Sequence, residues 1–239
     1  MEISVITTTF NRINFLQECI ASFFASVLVP LEEEFKLEYI IYDDASTDGT
    51  ELLFQENKFP GVKYIREEIN KGPSYGRNRA IGEAQGDYIF VIDSDDVMLQ
   101  RTIYNFARNI KKYPDTDWFI SDFLRVDADL KYMKENDYYG WEFDSPGSML
   151  SSIFKNEHFI QHNVCFKRKL FLKAGGYNEQ MRMAEDLDLY VRFLLNNSMP
   201  KYCGFISHLH RMHDGNLSAA IDLEANKKYT KLIQDRYRQ

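Results

Sequence analysis

Apolar and polar positions over the first hundred residues alternate between two periods. Ile3 to Thr9 is short and β-branched, the pattern of a buried strand. Phe15, Leu16, Cys19, Ile20, Phe23 and Phe24 then recur at helical spacing and predict an amphipathic helix, with Asn11 as a cap before it. Tyr39 to Tyr42 reads as a second strand ending in Asp43-Asp44, and Ser46-Thr47-Asp48 offers caps for a helix carrying Leu52 and Leu53. Val62 to Ile65 predicts a third strand, followed by a glycine-containing loop and a helix from about Ser74 to Ala84. Ile89 to Ile92 reads as a fourth strand, buried on both faces. This βαβα order predicts an α/β fold with a mostly parallel sheet and crossover helices.

After Arg101 the pattern changes. A helix through Ile110 ends near Pro114, and Trp118 to Val126 reads as another strand. From about Asp127 to Ser148 the chain is polar and aromatic, and Gly140, Pro146 and Gly147 break any period, which predicts an irregular lobe over a site. Leu187, Tyr190, Val191 and Leu194 mark a further helix, and Asp222 to Gln239 a charged, amphipathic one.

Charge narrows the partners. The net charge of −7 over 239 residues argues against nonspecific nucleic-acid binding. A small anionic ligand would then need a local cation, and a metal-bridged phosphate fits. Cys19, Cys165 and Cys203 lie far apart with no metal-ligand spacing, which suggests a reducing compartment and a cytoplasmic protein. Neither a signal peptide nor a membrane-span run is visible, and peripheral membrane contact stays open.

The candidate chemistry collects at strand ends. Asp93-Ser94-Asp95-Asp96 follows the fourth strand directly, and no cation lies nearby in the chain. Acids clustered at the carboxyl end of a parallel strand repel each other unless a divalent cation or donor-rich ligand joins them. Thr7, Thr9, Phe10 and Arg12 end the first strand, with hydroxyls for a base or ribose and a ring for a wall. Asp43 ends the second, where a carboxylate can accept a nucleobase N–H. Asn70, Gly72 and Arg77 surround a helix start whose amides suit a phosphate, although neither a P-loop nor a Rossmann glycine pattern is present. Glu185-Asp186 opens the amphipathic helix, where a carboxylate can cap or act as a general base. His213 sits in a polar loop and becomes a plausible metal ligand beside the acids.

Taken in order, Ser4 to Arg12, Asp43 to Thr50, Asn70-Lys71-Gly72, Arg77-Asn78, Asp93 to Asp96, Gly175-Gly176-Tyr177, Glu185-Asp186 and Arg211 to Ser218 resemble the family 2 glycosyltransferases, inverting enzymes with the GT-A fold. The resemblance implies a nucleotide-sugar-binding half over residues 1–100, an acceptor-binding and catalytic half of the same domain over 101–220, and a C-terminal helix over 221–239. It implies that Asp43 bonds the nucleobase, with Thr7, Thr9, Phe10, Arg12, Asn70, Gly72 and Arg77 around the nucleotide. Asp93 and Ser94 would meet the ribose side, and Asp95 with His213 would hold Mn²⁺ or Mg²⁺ on the donor diphosphate. Asp186 resembles the general base, with Glu185 orienting it or contacting acceptor.

The donor implied is a nucleotide sugar, UDP-linked by preference. The acceptor is a saccharide, a lipid-linked saccharide or a glycoconjugate, as in bacterial polysaccharide synthesis. Trp141, Tyr138, His162 and Asn163 are candidates on the acceptor side, with plain packing the competing account of the aromatics. The run Lys167-Arg168-Lys169 reads as a solvated face, or as contact to an anionic lipid-linked acceptor, and the C-terminal helix as a surface for another copy. Two rivals remain: a sugar-phosphate nucleotidyltransferase, which usually needs glycines after the first strand, and a noncatalytic nucleotide-sugar binding module.

Overall fold

The computed structural model describes the chain except residues 28–34, 58, 135–139, 158–159, 161, 182, 217–222 and 238–239, and the side chains of 223–226. Tyr138, Leu217, Ser218 and Asp222 therefore lie outside the described residues.

The first half follows its hydrophobic pattern. Strands β1 (Glu2–Thr9), β2 (Lys36–Asp43), β3 (Val62–Arg66) and β4 (Tyr88–Val91) alternate with helices α1 (Ile13–Val27), α2 (Thr50–Glu56) and α3 (Pro73–Gly82). The four strands pair in parallel in the order β3-β2-β1-β4. Register aligns their polar ends, because Thr9 lies opposite Asp43 and Asp43 opposite Arg66. Side-chain alternation then builds two cores. Ile3, Val5, Tyr39, Ile41 and Phe90 pack against Leu16, Ile20 and Phe23 of α1 on one face. Ile6, Ile40, Tyr42, Ile89 and Val91 face the other way, toward Ala80 and Ile81 of α3.

The second half completes one eight-stranded sheet, but mixes its directions. It adds β5 (Val97–Met98), α4 (Thr102–Lys112), β6 (Trp118–Val126), α5 (Pro146–Phe154), β7 (Val164–Lys167), α6 (Arg168–Ala174), α7 (Glu185–Leu195), β8 (Lys201–Arg211) and α8 (Leu223–Tyr237). Strand β7 runs antiparallel to both β4 and β6, while β8 runs parallel to β6 and antiparallel to β5. The nucleotide-side half of the sheet is thus parallel and the acceptor-side half mixed, as the resemblance implies.

Two local expectations are corrected. Pro146 and Gly147 start a helix instead of breaking one. Ser145 caps α5, its hydroxyl accepting from Ser148 N at 3.1 Å while Ser148 Oγ accepts from Ser145 N, and proline suits a first turn, where no N–H is needed. Nor does Asn11 cap α1. Ile13 N donates to Asp48 Oδ2 at 2.8 Å, so the cap comes from the loop after β2, and Asn11 Oδ1 instead accepts from Thr47 N at 2.7 Å. Asp48 also accepts from Thr50 N and Oγ1 at the start of α2, where Gly49 in the cap position offers no side chain. The exchange ties the ends of β1 and β2 together.

Among the described residues, no helix is long and apolar enough to cross a membrane. In the Lys167-Arg168-Lys169 run, Lys167 pairs with Asp117 at 2.9 Å.

Candidate active site

The four acids after β4 do not stand alone. The cations missing from their own neighbourhood in the chain arrive from the turn before α1, from α3 and from β8. Arg12 Nη1 meets Asp95 Oδ2 at 2.5 Å, and Arg77 Nη2 meets Asp93 Oδ1 at 2.9 Å. Arg211, 2% exposed, donates from Nε to Asp95 O and from its backbone N to Asp96 Oδ1, both at 2.9 Å, and pairs with Glu18 on α1. The acidic turn is therefore held on three sides by arginines remote in sequence.

Arg77 joins the two halves of the site. Its other guanidinium nitrogen, Nη1, bonds Glu185 Oε1, so one buried cation spans the end of β4 and the start of α7. Burial opposes its charge, but Asp93 and Glu185 outweigh that and strengthen its hold on the proton. The turn before α7 explains the approach. Asn78 on α3 clasps Tyr177, donating to Tyr177 O at 2.9 Å and accepting from Tyr177 N at 2.8 Å. Gly176 has φ +74°, and a Cβ there would lie 2.9 Å from Asn78 Oδ1, so only glycine lets the clasp close. Ala184 then adopts φ 55°, a left-handed conformation that alanine rarely holds, directly before Glu185-Asp186.

Asp186 stands apart from the paired acids. Its side chain is 16% exposed, Oδ1 accepts from Leu187 N at 2.8 Å, and among the described residues no arginine pairs with it. His162 Nε2 lies 3.8 Å from Asp186 Oδ2 and 3.9 Å from Asp93 Oδ2, between the two acids. Burial raises the proton affinity of Asp186; His162 opposes, and Glu185 beside it adds to the rise. Burial would raise Asp93 too, but His162, Arg77 and Arg12 together hold it well below the usual carboxylate range. An acid kept ionised and a neighbour inclined toward its proton is an arrangement suited to proton transfer.

The expected donor and metal residues divide. Asp95 Oδ2 and His213 Nε2 meet at 3.0 Å, so the two expected metal ligands converge, with the Arg12 guanidinium on the same carboxylate oxygen. Phe10 is 45% exposed at the end of β1, free to offer a face. Thr9 Oγ1 is buried without a partner, whereas Ser94 is buried beside the paired acids. Asn70 Nδ2 donates to Asp44 O at 3.3 Å, and Gly72, at φ 92°, donates its N–H to Asp44 Oδ2 at 2.8 Å. Asp44 thus holds the loop that opens α3.

Three of the expected residues are bonded within the protein. Thr7 is fully buried, and its hydroxyl donates to Ile92 O and meets Tyr39 Oη, both at 2.9 Å. Asn163 is equally buried, its amide bonded to Ser121 O, and it locks the approach to β7 against β6. Asp43 is buried as well, with Ser46 N donating to Oδ1 at 2.9 Å and Tyr64 Oη to Oδ2 at 2.5 Å. Trp141 is half exposed and packs near Phe143, with ring centroids 5.5 Å apart, in the region after β6.

Sequence reasoning missed a second cluster. Asp96, His208 and His210 face one another in the interior, all three buried. Burial holds His208 neutral, with its pKa lowered to about 3. Burial also pushes His210 down, but Asp96 outweighs it and raises it. The signal was present in the His208-Leu209-His210 spacing, which puts both rings on one face once β8 is known to be a strand.

The family model for glycosyl transferase family 2 matches residues 4–175. The chain belongs to this family. An uncharacterized glycosyltransferase of Methanocaldococcus jannaschii is 24% identical over 198 residues, which cover 82% of this chain and 65% of that protein. The chain spans less than two thirds of the length of that relative. Among solved structures, Staphylococcus aureus TarS 1-349 in complex with UDP-GlcNAc superposes with a TM-score of 0.74 at 20% identity, covering 98% of this chain and 66% of that one. The mannosyltransferase PcManGT of Pyrobaculum calidifontis, in complex with GDP-Man and Mn²⁺, gives 0.66 at 16% identity, covering 91% and 59%. The fold of this family 2 member is GT-A.

Proposed function

We propose that this family 2 chain transfers a sugar from a nucleoside-diphosphate donor, a UDP-sugar by preference, to an acceptor hydroxyl with inversion at the anomeric carbon. The observation that carries the reading is the placement of Asp186. It is partly open, inclined toward a proton, and joined through His162 to Asp93, while Arg77 ties its neighbour Glu185 to the same Asp93.

The chemistry follows from that arrangement. Asp186 Oδ2, whose partner oxygen is occupied by Leu187 N, takes the proton of the acceptor hydroxyl. The hydroxyl oxygen bonds the anomeric carbon from the opposite face while the bond from that carbon to the diphosphate oxygen breaks. The nucleoside diphosphate leaves with the electron pair. Arg77 keeps Asp93 ionised and in place for the ribose side, and Glu185 is held where it orients the start of α7. Phe10 and the unpartnered Thr9 hydroxyl supply a wall and a polar contact for the nucleotide.

Asp95 Oδ2 and His213 Nε2 fit a divalent cation, Mn²⁺ or Mg²⁺, since an oxygen and an imidazole nitrogen already converge; Arg12, bonded to the same oxygen, would give way to the ion. Such an ion would offset the charge of the departing diphosphate. TarS in complex with UDP-GlcNAc supports a UDP-sugar, while PcManGT with GDP-Man keeps the base identity a property of local contacts rather than of the fold. The acceptor side is the region around Trp141 and His162, suited to a saccharide or glycoconjugate; residues 1–100 serve the donor and 101–220 the acceptor.

A thermal-shift screen with UDP, GDP, dTDP and CMP, each with and without Mn²⁺, tests the donor site. A ligand at a hundredfold excess over its Kd raises stability by about 2.7 kcal/mol. The proposal expects a manganese-dependent shift with one nucleoside diphosphate, UDP first. No shift with any nucleotide from a folded sample would overturn it.

A further inference from the structure

We propose that Asp96, His208 and His210 form a second, buried divalent-cation site, of Zn²⁺ class, distinct from the Asp95–His213 pair. The three ligand atoms lie within 4.8 Å of one another. Asp96 Oδ2 stands 3.4 Å from His210 Nδ1 and 3.5 Å from His208 Nε2. These distances are long for hydrogen bonds, whose usual range ends near about 3.2 Å. They match the edge of a tetrahedron around zinc, about 3.3–3.5 Å for metal–ligand bonds of about 2.0–2.2 Å.

The surrounding bonds leave the right atoms bare. Asp96 Oδ1 accepts from Arg211 N at 2.9 Å, which turns Oδ2 toward the rings. Ser207 Oγ lies 2.8 Å from His208 Nδ1 and 3.3 Å from Asp122 O, so an Nδ1–H tautomer has a fixed oxygen to donate to. In that tautomer the Nε2 lone pair faces a carboxylate oxygen, and a cation between the two acceptors would satisfy both. An imidazole whose other nitrogen donates to a fixed oxygen is the usual outer support of a metal ligand.

The place is built for rigidity. His208 and His210 lie on the same face of β8, with ring centroids 5.4 and 5.5 Å from Phe123. His210 is the most open of the three, its side chain 11% exposed, and gives a route inward. Arg125 lies over the Phe123 ring at 5.9 Å, a like charge that tempers affinity. Asp95, although adjacent in sequence, turns to Arg12 and His213 instead. A cation here would clamp the acidic turn between β4 and β5 onto β8, and so steady Asp93 and Asp95.

The test uses the full chain stripped with EDTA, without nucleotide, titrated with Zn²⁺ and separately with Co²⁺. The expected result is about one tightly bound ion and the strong visible absorption of four-coordinate Co²⁺. Binding should persist in an Asp95→Asn/His213→Ala double variant. It should weaken by at least about tenfold in His208→Gln and in His210→Gln, each checked for folding by circular dichroism. Wild type that binds no ion, or binding lost with Asp95 and His213 but kept in folded His208→Gln, would overturn the site. Nucleotide binding is read separately, so failure here leaves the donor site untouched.

Discussion

Two carboxylates share His162 and differ in almost everything else. Asp93 stands at the end of β4, on the donor side, and has Arg77 on one oxygen; Asp186 opens α7, on the acceptor side, and has a backbone N–H and a neighbouring glutamate. Positive charge outweighs burial at Asp93 and holds it ionised, while burial and Glu185 win at Asp186 and raise its proton affinity. His162 and Arg77 lower both, so the difference comes from the direct Arg77 bond and the nearby Arg12 at Asp93 and from Glu185 beside Asp186. Paired arginines on one side and a neighbouring carboxylate on the other separate an acid that positions from an acid that titrates.

The comparison breaks hardest at Arg77. Arg77→Met leaves the buried Glu185 and the part-exposed Asp93 without their cation and should cost about 3 kcal/mol in urea unfolding, the low end for breaking a buried pair. Asp95→Asn should lose metal-stimulated transfer, several kcal/mol at the transition state, while the fold and the nucleotide-independent ion at His208 stay. The two acids should answer amide substitution differently in stability near neutral pH, with a loss of about 1–2 kcal/mol at Asp93 and no loss at Asp186. Asp93→Asn destabilises, because a carboxylate with lowered pKa contributes stability that is present above the unfolded value of 3.8 and lost as pH falls. Asp186→Asn stabilises or is neutral, because a raised pKa means that stability is lost as pH climbs through the folded value, and asparagine removes that loss. Chemical denaturation at pH 7 checks both signs. The smallest effect is in the pH profile. The acid limb of kcat should lie above the ordinary aspartate value of 3.8, and His162→Gln should move it further up, since a group that lowers Asp186 is removed.

How much of this was legible depended on whether a residue acts through its own strand. Strand ends announce themselves, so β1 to β4, the acids at Asp93 and Asp95, and Glu185-Asp186 at a helix start were readable from local pattern. Convergence was readable only through the resemblance, as with Asp95 and His213, 118 residues apart and 3.0 Å in space. Burial was not readable. Thr7 and Thr9 lie two apart on one strand, yet one hydroxyl bonds Tyr39 and Ile92 while the other has no partner. Asp43 looked like an open carboxylate because Tyr64, which covers it, comes from the next strand. The acids after β4 looked unneutralised because charge pairing is a matter of tertiary contact. Beyond β6 the second half hid its strands, since β8 carries Gly204 and no clean alternation, and its two histidines looked like separate residues.

The central claim is that Asp186 takes the proton and does not hold the donor. Asp186→Asn keeps the shape and the bond to Leu187 N, so transfer and binding can be measured on one folded protein. Isothermal titration with the nucleoside diphosphate and Mn²⁺, beside a transfer assay, decides it. The account predicts transfer lost by at least about 10²–10⁴-fold with donor affinity within a few-fold of wild type. Transfer retained, or donor binding lost along with it from an intact fold, would contradict it.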